Sequence, residues 1–227
     1  MRGDSPARVG LACRAVLFDL DGVLVDSHRV VERTWQRWLD HHGLRIPGIV
    51  GQAHGRRSIE TVIDVAPQLD AEAEVRWLAE AELADTEGLV ALPGARDALA
   101  ALPDLRCAIV TSAGRALATL RLNHVGLPVP GILLAAEDVR EGKPAPECYR
   151  RAAARLDLDP AECVVVEDTP AGIEAGRAAG ARVIAVATTF PASALMRAAV
   201  VVASLADVRI ASTCSHVHLH ARPLLAV

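Results

Sequence analysis

Lysine is all but missing from this chain: arginine supplies every one of the 24 basic residues except Lys143. Such a bias reflects genome composition, under which lysine drifts to arginine wherever either will serve. Chance survival aside, a lone lysine marks a place for a compact, mobile ammonium where a planar guanidinium will not fit. Other shortages exclude whole classes. The five cysteines, Cys13, Cys107, Cys148, Cys163 and Cys214, are odd in number, scattered and without a CxxC pair. A reduced, cytoplasmic compartment is therefore expected. No run of about 18 apolar residues is present to cross a membrane, and MRGDSPARVG lacks the apolar core of a signal peptide. Basic charge is not in excess. The net charge of −4 argues against a nucleic-acid or membrane-surface partner. GxGxxG is absent, so dinucleotide binding has no support.

What is present is ample core material, 52% hydrophobic over 227 residues, enough for one large domain or a domain with an insertion. The stretch that organises the rest is AVLFDLDGVLVD, residues 15–26. Ala15 to Phe18 form a continuous apolar run, as in a strand buried on both faces. It ends in Asp19 and Asp21, followed by Gly22. Ligands of open α/β sheets gather outside the carboxyl ends of such strands. Two carboxylates this close call for a metal or a cationic substrate, because like charges cannot both ionise freely. The competing reading is a plain acidic turn.

The spacing then predicts helices over 27–42, from Ser58 to Ala66 with Ser58 as N-cap, and from Asp70 to Ala84, while Ile49–His54 is ambiguous. These roughly 60 residues contain no second strand, far more than a βαβ crossover needs. They read as an inserted helical domain. Trp35, Trp38 and Trp77 are expected in its core, and His41 and His42 on its surface. From Leu92 onward strands and helices alternate. Strands are expected at 106–111, 132–135, 163–167, 182–187 and 200–203. Helices are expected at 95–102, 115–124, 146–156, 170–179 and 192–198. The fold class is α/β: a doubly wound parallel sheet, Rossmann-like, carrying an inserted α-helical cap. The expected division is a core of 13–26 and 91–208, a cap of 27–90 and a tail of 209–227 of unknown order. Gly172, Gly176 and Gly180 recur on one helix face, as close helix–sheet packing requires. In the tail, His216, His218 and His220 alternate. On a strand they would share a face and a metal is conceivable, but a flexible or cloning-derived tail is the expectation.

Other strand ends carry compatible chemistry. Thr111-Ser112 precede a helix start, where backbone N–H groups favour anions. Lys143 lies in Glu141-Gly142-Lys143-Pro144, and Glu167-Asp168 close the strand at 163–167. DxDG, TS, GKP and EDTPAG in this order resemble the haloacid dehalogenase-like hydrolase superfamily over about residues 14–205. The insertion is similar to that family's type-one cap. FDLDGVLVDS, HGRR, TEGLVALPGA and VVVEDTPAGIEAG most resemble its bacterial sugar-phosphate phosphatases. Glu167-Asp168 departs from the more usual Asp-Asp or Gly-Asp.

The resemblance implies a phosphatase acting through an aspartyl-phosphate on a small phosphorylated metabolite, a sugar or polyol phosphate. Asp19 would be the nucleophile, and Asp21 the acid and then the base. Thr111, Lys143 and the Ser112 backbone would hold the phosphoryl oxygens. Mg²⁺ would lie on Asp19, the backbone carbonyl of Asp21 and Asp168, with Glu167 acting through water. His54, Arg56 and Arg57 are the cap residues expected at the substrate. Asp21 argues against dehalogenation, and the absence of a cap lysine against phosphonate cleavage. A β-phosphoglucomutase-like mutase is the alternative, weakened because Val31 stands where such mutases carry histidine, with His28 one helical turn away. A non-catalytic phosphate-binding protein on the same fold also stays open. The oligomeric state is not determined, and a monomer is compatible with all of this. The cap is expected to close over the site, hinged at Val25–Ser27 and Val90–Gly94.

Overall fold

Alternate residues of the Ala15–Phe18 run face opposite sides of a sheet, and all four are fully buried. Val16 and Phe18 join one apolar cluster, Ala15 and Leu17 another, which is what an apolar strand at the middle of a covered sheet must do. The computed structural model describes residues 8–213 and 215–224; Cys214 lies outside them. The first elements are β1 (Val9–Cys13), β2 (Ala15–Phe18) and β3 (Val25–Asp26). Then come α1 (His28–His42), α2 (Ile49–Ala53), α3 (Ser58–Val65), α4 (Ala71–Leu83) and β4 (Val90–Ala91). Next are α5 (Ala95–Ala100), β5 (Cys107–Val110), α6 (Arg115–His124), β6 (Leu133–Leu134) and α7 (Glu147–Arg155). The last are β7 (Cys163–Glu167), α8 (Pro170–Ala179), β8 (Arg182–Val186), β9 (Val200–Val202), β10 (Val208–Ser212) and β11 (Val217–Ala221).

The main sheet is parallel throughout and runs β6-β5-β2-β7-β8-β9. Strand order reverses at β2, so a crevice opens at its carboxyl end. Helices α5 and α6 cover one face of the sheet, and α7 and α8 the other. Between β2 and the core's return, α1 to α4 build a separate apolar cluster on Trp35, Trp38, Leu39, Val62 and Leu78. Trp77 packs against that cluster and stacks on His41. The chain leaves and re-enters the core through one ribbon, β3 paired antiparallel with β4, Val25 opposite Ala91. No helix among the described residues is long and apolar enough to cross a membrane.

Several local expectations change. The ambiguous stretch is helix α2. Arg57, not Ser58, is the N-cap residue of α3, and no side chain caps it. Asp70 does cap α4, accepting from the N–H groups of Glu72 and Ala73. The helix expected at 192–198 is a single 3₁₀ turn, Ala192–Ala194. His42 is not a free surface residue: its Nε2 lies 2.8 Å from Glu74 Oε2, which also accepts from Trp38 Nε1. Gly176 lies against Val183 and Val165, whereas Gly180 ends α8 in the left-handed region.

The tail departs most from expectation. Far from flexible, β11 is the middle strand of a three-stranded antiparallel sheet, β1-β11-β10. Val217, Leu219 and Ala221 are buried in the core, while His218 and His220 point outward. The apolar residues between the histidines carry the alternation of a half-buried strand. His218 sits opposite Ala12 and Ala211, so its strand neighbours offer no ligand.

Candidate active site

Four adjacent strands deliver the polar residues to one place. Asp19 follows β2, Thr111 and Ser112 follow β5, Lys143 lies in the loop after β6, and Glu167 and Asp168 end β7. Lys143 is 2% exposed; its Nζ donates to Asp19 Oδ1 at 2.7 Å and Glu167 Oε1 at 2.6 Å. A third donation reaches the Val110 carbonyl at 3.3 Å. Both carboxylates hold the ammonium charged, raising its pKa against the opposing effect of burial. A guanidinium presents a rigid planar fork and does not converge on three acceptors in this way.

Glu167 is fully committed. Oε1 accepts from Lys143 and from the Tyr149 hydroxyl at 2.7 Å; Oε2 accepts from Thr169 Oγ1 and the backbone N–H groups of Asp168 and Thr169. Gly172 makes room for it: a Cβ there would lie 1.7 Å from Oε1.

Asp19, Glu167 and Asp168 place carboxylate oxygens within 4.8 Å of one another, all three residues buried. Burial is the main force raising the Asp19 carboxyl to about 7; Lys143 opposes it and Glu167 adds to it. Asp168 is raised well above the usual carboxylate range by burial, then by Asp19 and Glu167. Three carboxyls share one ammonium, so the cluster lacks positive charge. Asp168 Oδ2 accepts from Thr189, but its buried Oδ1 has no partner. A buried carboxylate oxygen without a partner is costly, and hard oxygen donors beside it suit a divalent cation. Gly22, at φ +82°, preserves the space: a Cβ would lie 1.9 Å from Asp168 Oδ2. The residues present therefore fit a metal ion, with Asp19 and Asp168 as its carboxylate donors.

Asp21 faces elsewhere. Its Oδ1 accepts from Ser27 Oγ at 2.7 Å and pairs with Arg121 Nη1 at 2.7 Å. The two aspartates thus lie one residue apart yet occupy different electrostatic settings. Both border a cavity of about 390 Å³ between the α1–α4 block and the core. Thr111, Ser112, His54, Arg56 and Arg57 border it too. Ser112 Oγ donates to the Gly55 carbonyl at 2.9 Å, and Thr111 Oγ1 accepts from the Ala113 N–H. The His54 ring lies 4.6 Å from that of His28, centroid to centroid. Arg56 pairs with Asp64 at 2.7 Å. Arg57 spans the seam, bonded to Glu60 and to the carbonyls of Val139 and Arg140.

Sequence reasoning missed Arg121, Glu82, Tyr149, Thr189 and Glu60. A signal existed for two of them. Arg121 interrupts the buried face of α6 between Ala118 and Leu122, and Glu82 continues the buried face of α4 four residues after Leu78.

A doubly wound sheet with a helical insertion after its first parallel strand, and an acid–lysine–acid cluster at the switch point, defines a class of hydrolase. A model of the haloacid dehalogenase-like hydrolases matches residues 13–180, and the chain belongs to that family. Hexitol phosphatase A of Escherichia coli is 43% identical over 181 residues, covering 78% of this chain and 84% of its own. Glycerol-1-phosphate phosphohydrolase 2 of Saccharomyces cerevisiae is 34% identical, covering 80% and 78%. A hydrolase from Pseudomonas syringae superposes with a TM-score of 0.78 at 26% identity, over 86% of this chain and 95% of its own.

Proposed function

We infer that the chain is a Mg²⁺-dependent phosphatase of small sugar or polyol phosphates that works through an aspartyl-phosphate. The observation that carries this is the division of labour between neighbouring aspartates. Asp19 touches Lys143 and the acidic cluster, while Asp21 is held apart by Ser27 and Arg121. The two carboxyls have separate partners, so Asp19 is free to attack phosphorus while Asp21 carries the proton.

Asp19 attacks phosphorus as the bond to the substrate alcohol breaks, and Asp21 gives its proton to the departing oxygen. Water then attacks the aspartyl-phosphate, Asp21 takes the proton back, and Asp19 and inorganic phosphate are released. Lys143, Thr111 and the Ser112 backbone neutralise the phosphoryl oxygens. The 3.3 Å contact of Lys143 to Val110 is the weakest of its three and the one a phosphoryl oxygen would replace. Asp19, Asp168 and the Asp21 carbonyl would hold Mg²⁺, which would supply charge neutralisation between the carboxylate and the phosphate dianion. Glu167 serves it by fixing Lys143 and the 168–169 turn.

His54, Arg56 and Arg57 stand on the leaving-group side of the cavity, within a cap of 27–90 over a core of 13–26 and 91–208 that also takes in β10 and β11. Closure would hinge on Val25–Ser27 and Val90–Gly94, the strands of one ribbon. The names of the relatives, a hexitol phosphatase and a glycerol-1-phosphate phosphohydrolase, favour polyol phosphates. At the position where such mutases carry histidine, Val31 borders the cavity, which favours hydrolysis over mutase chemistry. The four described cysteines are free and buried, in keeping with a reducing cytoplasmic setting.

The test is hydrolysis of p-nitrophenyl, hexitol, hexose and glycerol phosphates with Mg²⁺ and with chelator, beside a β-glucose 1-phosphate isomerisation assay. Turnover with Mg²⁺, lost with chelator and in Asp19→Asn, is expected. Turnover surviving in Asp19→Asn would overturn the aspartyl-phosphate. Isomerisation outpacing hydrolysis would establish the mutase. Phosphate binding without any turnover would leave a binding protein.

A further inference from the structure

Arg121 is the most deeply buried arginine among the described residues at 2% exposure, and no motif of the family resemblance contains it. Burying a guanidinium costs several kcal/mol unless partners compensate. Its partners come from both sides of the cavity. Nη1 lies 2.7 Å from Asp21 Oδ1 in the core, and Nη2 donates to Glu82 Oε2 in the last turn of α4, in the cap. Ser27, at the exit toward the cap, donates to the same Asp21 Oδ1. The ion pair and the hydroxyl donor thus fall on one oxygen, and Oδ2 has no hydrogen bond among the described residues. One oxygen is thereby clamped, and the other is left to carry a proton.

We propose that Arg121 is a positioning residue that clamps the Asp21 carboxyl for proton transfer, and that Glu82 completes the clamp when the cap is docked on the core. This rests on Asp21 being the acid and base of the phosphatase reading. Arg121 touches neither phosphorus nor the reacting oxygen; it acts through Asp21. In each cycle the proton leaves Asp21 Oδ2 for the alcohol oxygen as the ester P–O bond breaks. It returns from water as the Asp19–phosphorus bond breaks.

The experiment uses the full chain carrying Glu82→Gln and, separately, Arg121→Lys, assayed on an alkyl polyol phosphate and on p-nitrophenyl phosphate in stopped flow. Loss of positioned acid–base catalysis lowers kcat on the alkyl phosphate by about 10–100-fold, with KM within about twofold of the parent. On p-nitrophenyl phosphate the leaving group departs without a proton, whereas the second step still needs the base. A burst of one nitrophenolate per site, followed by slow turnover, is therefore expected in the variants. A structural defect alone would reduce the amplitude without creating a burst. KM rising at unchanged kcat would make Arg121 a substrate-binding residue and overturn the proposal, as would parental kinetics in both variants. Should either single variant fail to fold, Glu82→Leu/Arg121→Met removes both charges together and must show the same burst. Asp19→Asn separates the two levels: turnover there sinks the phosphatase reading, while a dead Asp19→Asn beside a parental Glu82→Gln sinks the clamp alone.

Discussion

Glu60 Oε1 accepts a hydrogen bond from the backbone N–H of Gly142 at 2.8 Å, tying the first turn of α3 to the residue before Lys143. Arg57 reinforces the junction by donating to the carbonyls of Val139 at 3.0 Å and Arg140 at 2.7 Å. The helical block therefore grips the loop that carries the site's only ammonium. Gly142 is what lets it come so close.

Gly142→Ala should pry the two apart. Its Cβ would lie 2.6 Å from Glu60 Oε2 and 2.9 Å from Arg57 Nε, so these side chains must withdraw. Hydrogen bonds to charged groups contribute about 1.5–3 kcal/mol each. kcat/KM for a polyol phosphate is expected to fall about tenfold, with a thermal midpoint lowered by several degrees; an unchanged kcat/KM would show that the grip has no bearing on turnover.

Lys143→Met strands Asp19 and Glu167 without their shared cation. Breaking a buried ion pair from one side costs about 3–5 kcal/mol. A lower denaturation midpoint in urea and loss of phosphatase activity by at least about 100-fold are expected. Lys143→Arg should be nearly as inactive despite its charge, because the guanidinium cannot converge on Asp19, Glu167 and Val110. An active arginine variant would mean that charge alone suffices at this position.

Acid stability should report on His54. Burial, followed by the neighbouring His28, pushes its imidazole down to about 4. Above about pH 6.5 both folded and unfolded forms are neutral, so the stability is fully present. Between about 6.5 and 4 the unfolded chain binds a proton that the folded chain refuses, and stability falls as the pH drops. His54→Gln removes that loss. Its melting temperature should decline less than the parent's between pH 7 and pH 5, by the equivalent of about 1 kcal/mol at this half-buried position. Parallel declines would place the acid sensitivity elsewhere.

Leu219→Ala tests the tail. The side chain is fully buried in the middle strand of β1-β11-β10, and truncating a buried leucine costs about 2–5 kcal/mol. His218→Ala, on the exposed face of the same strand, should be within about 0.5 kcal/mol of the parent. Equal effects of the two in urea denaturation would contradict the strand's orientation.

Much of this was legible in the chain because local chemistry spells it out. Ala15–Phe18 reads as a doubly buried strand from its apolar run. The residues at its end, and at the ends of β5 and β7, announce the site because a parallel sheet gathers its carboxyl ends. The lone lysine fell where an ammonium faces Asp19 and Glu167. The tail is less legible because its alternating histidines mask Val217, Leu219 and Ala221, whose own alternation marks a half-buried strand.

The strand-end motifs, the insertion and the family resemblance were thus determined by sequence alone: each depends on neighbours within a few residues. Tertiary structure decided how Asp21 is held, and by which partners. Glu82 and Arg121 are 39 residues apart, on α4 and α6, and neither carries a local signature beyond a charge on a buried helix face. Packing of α6 within the core brings Arg121 onto Asp21, and docking of the cap brings Glu82 onto Arg121. Arg57 and Glu60 likewise met the Lys143 loop across 82 or 83 residues. Such partnerships depend on long-range packing, which no local spacing encodes.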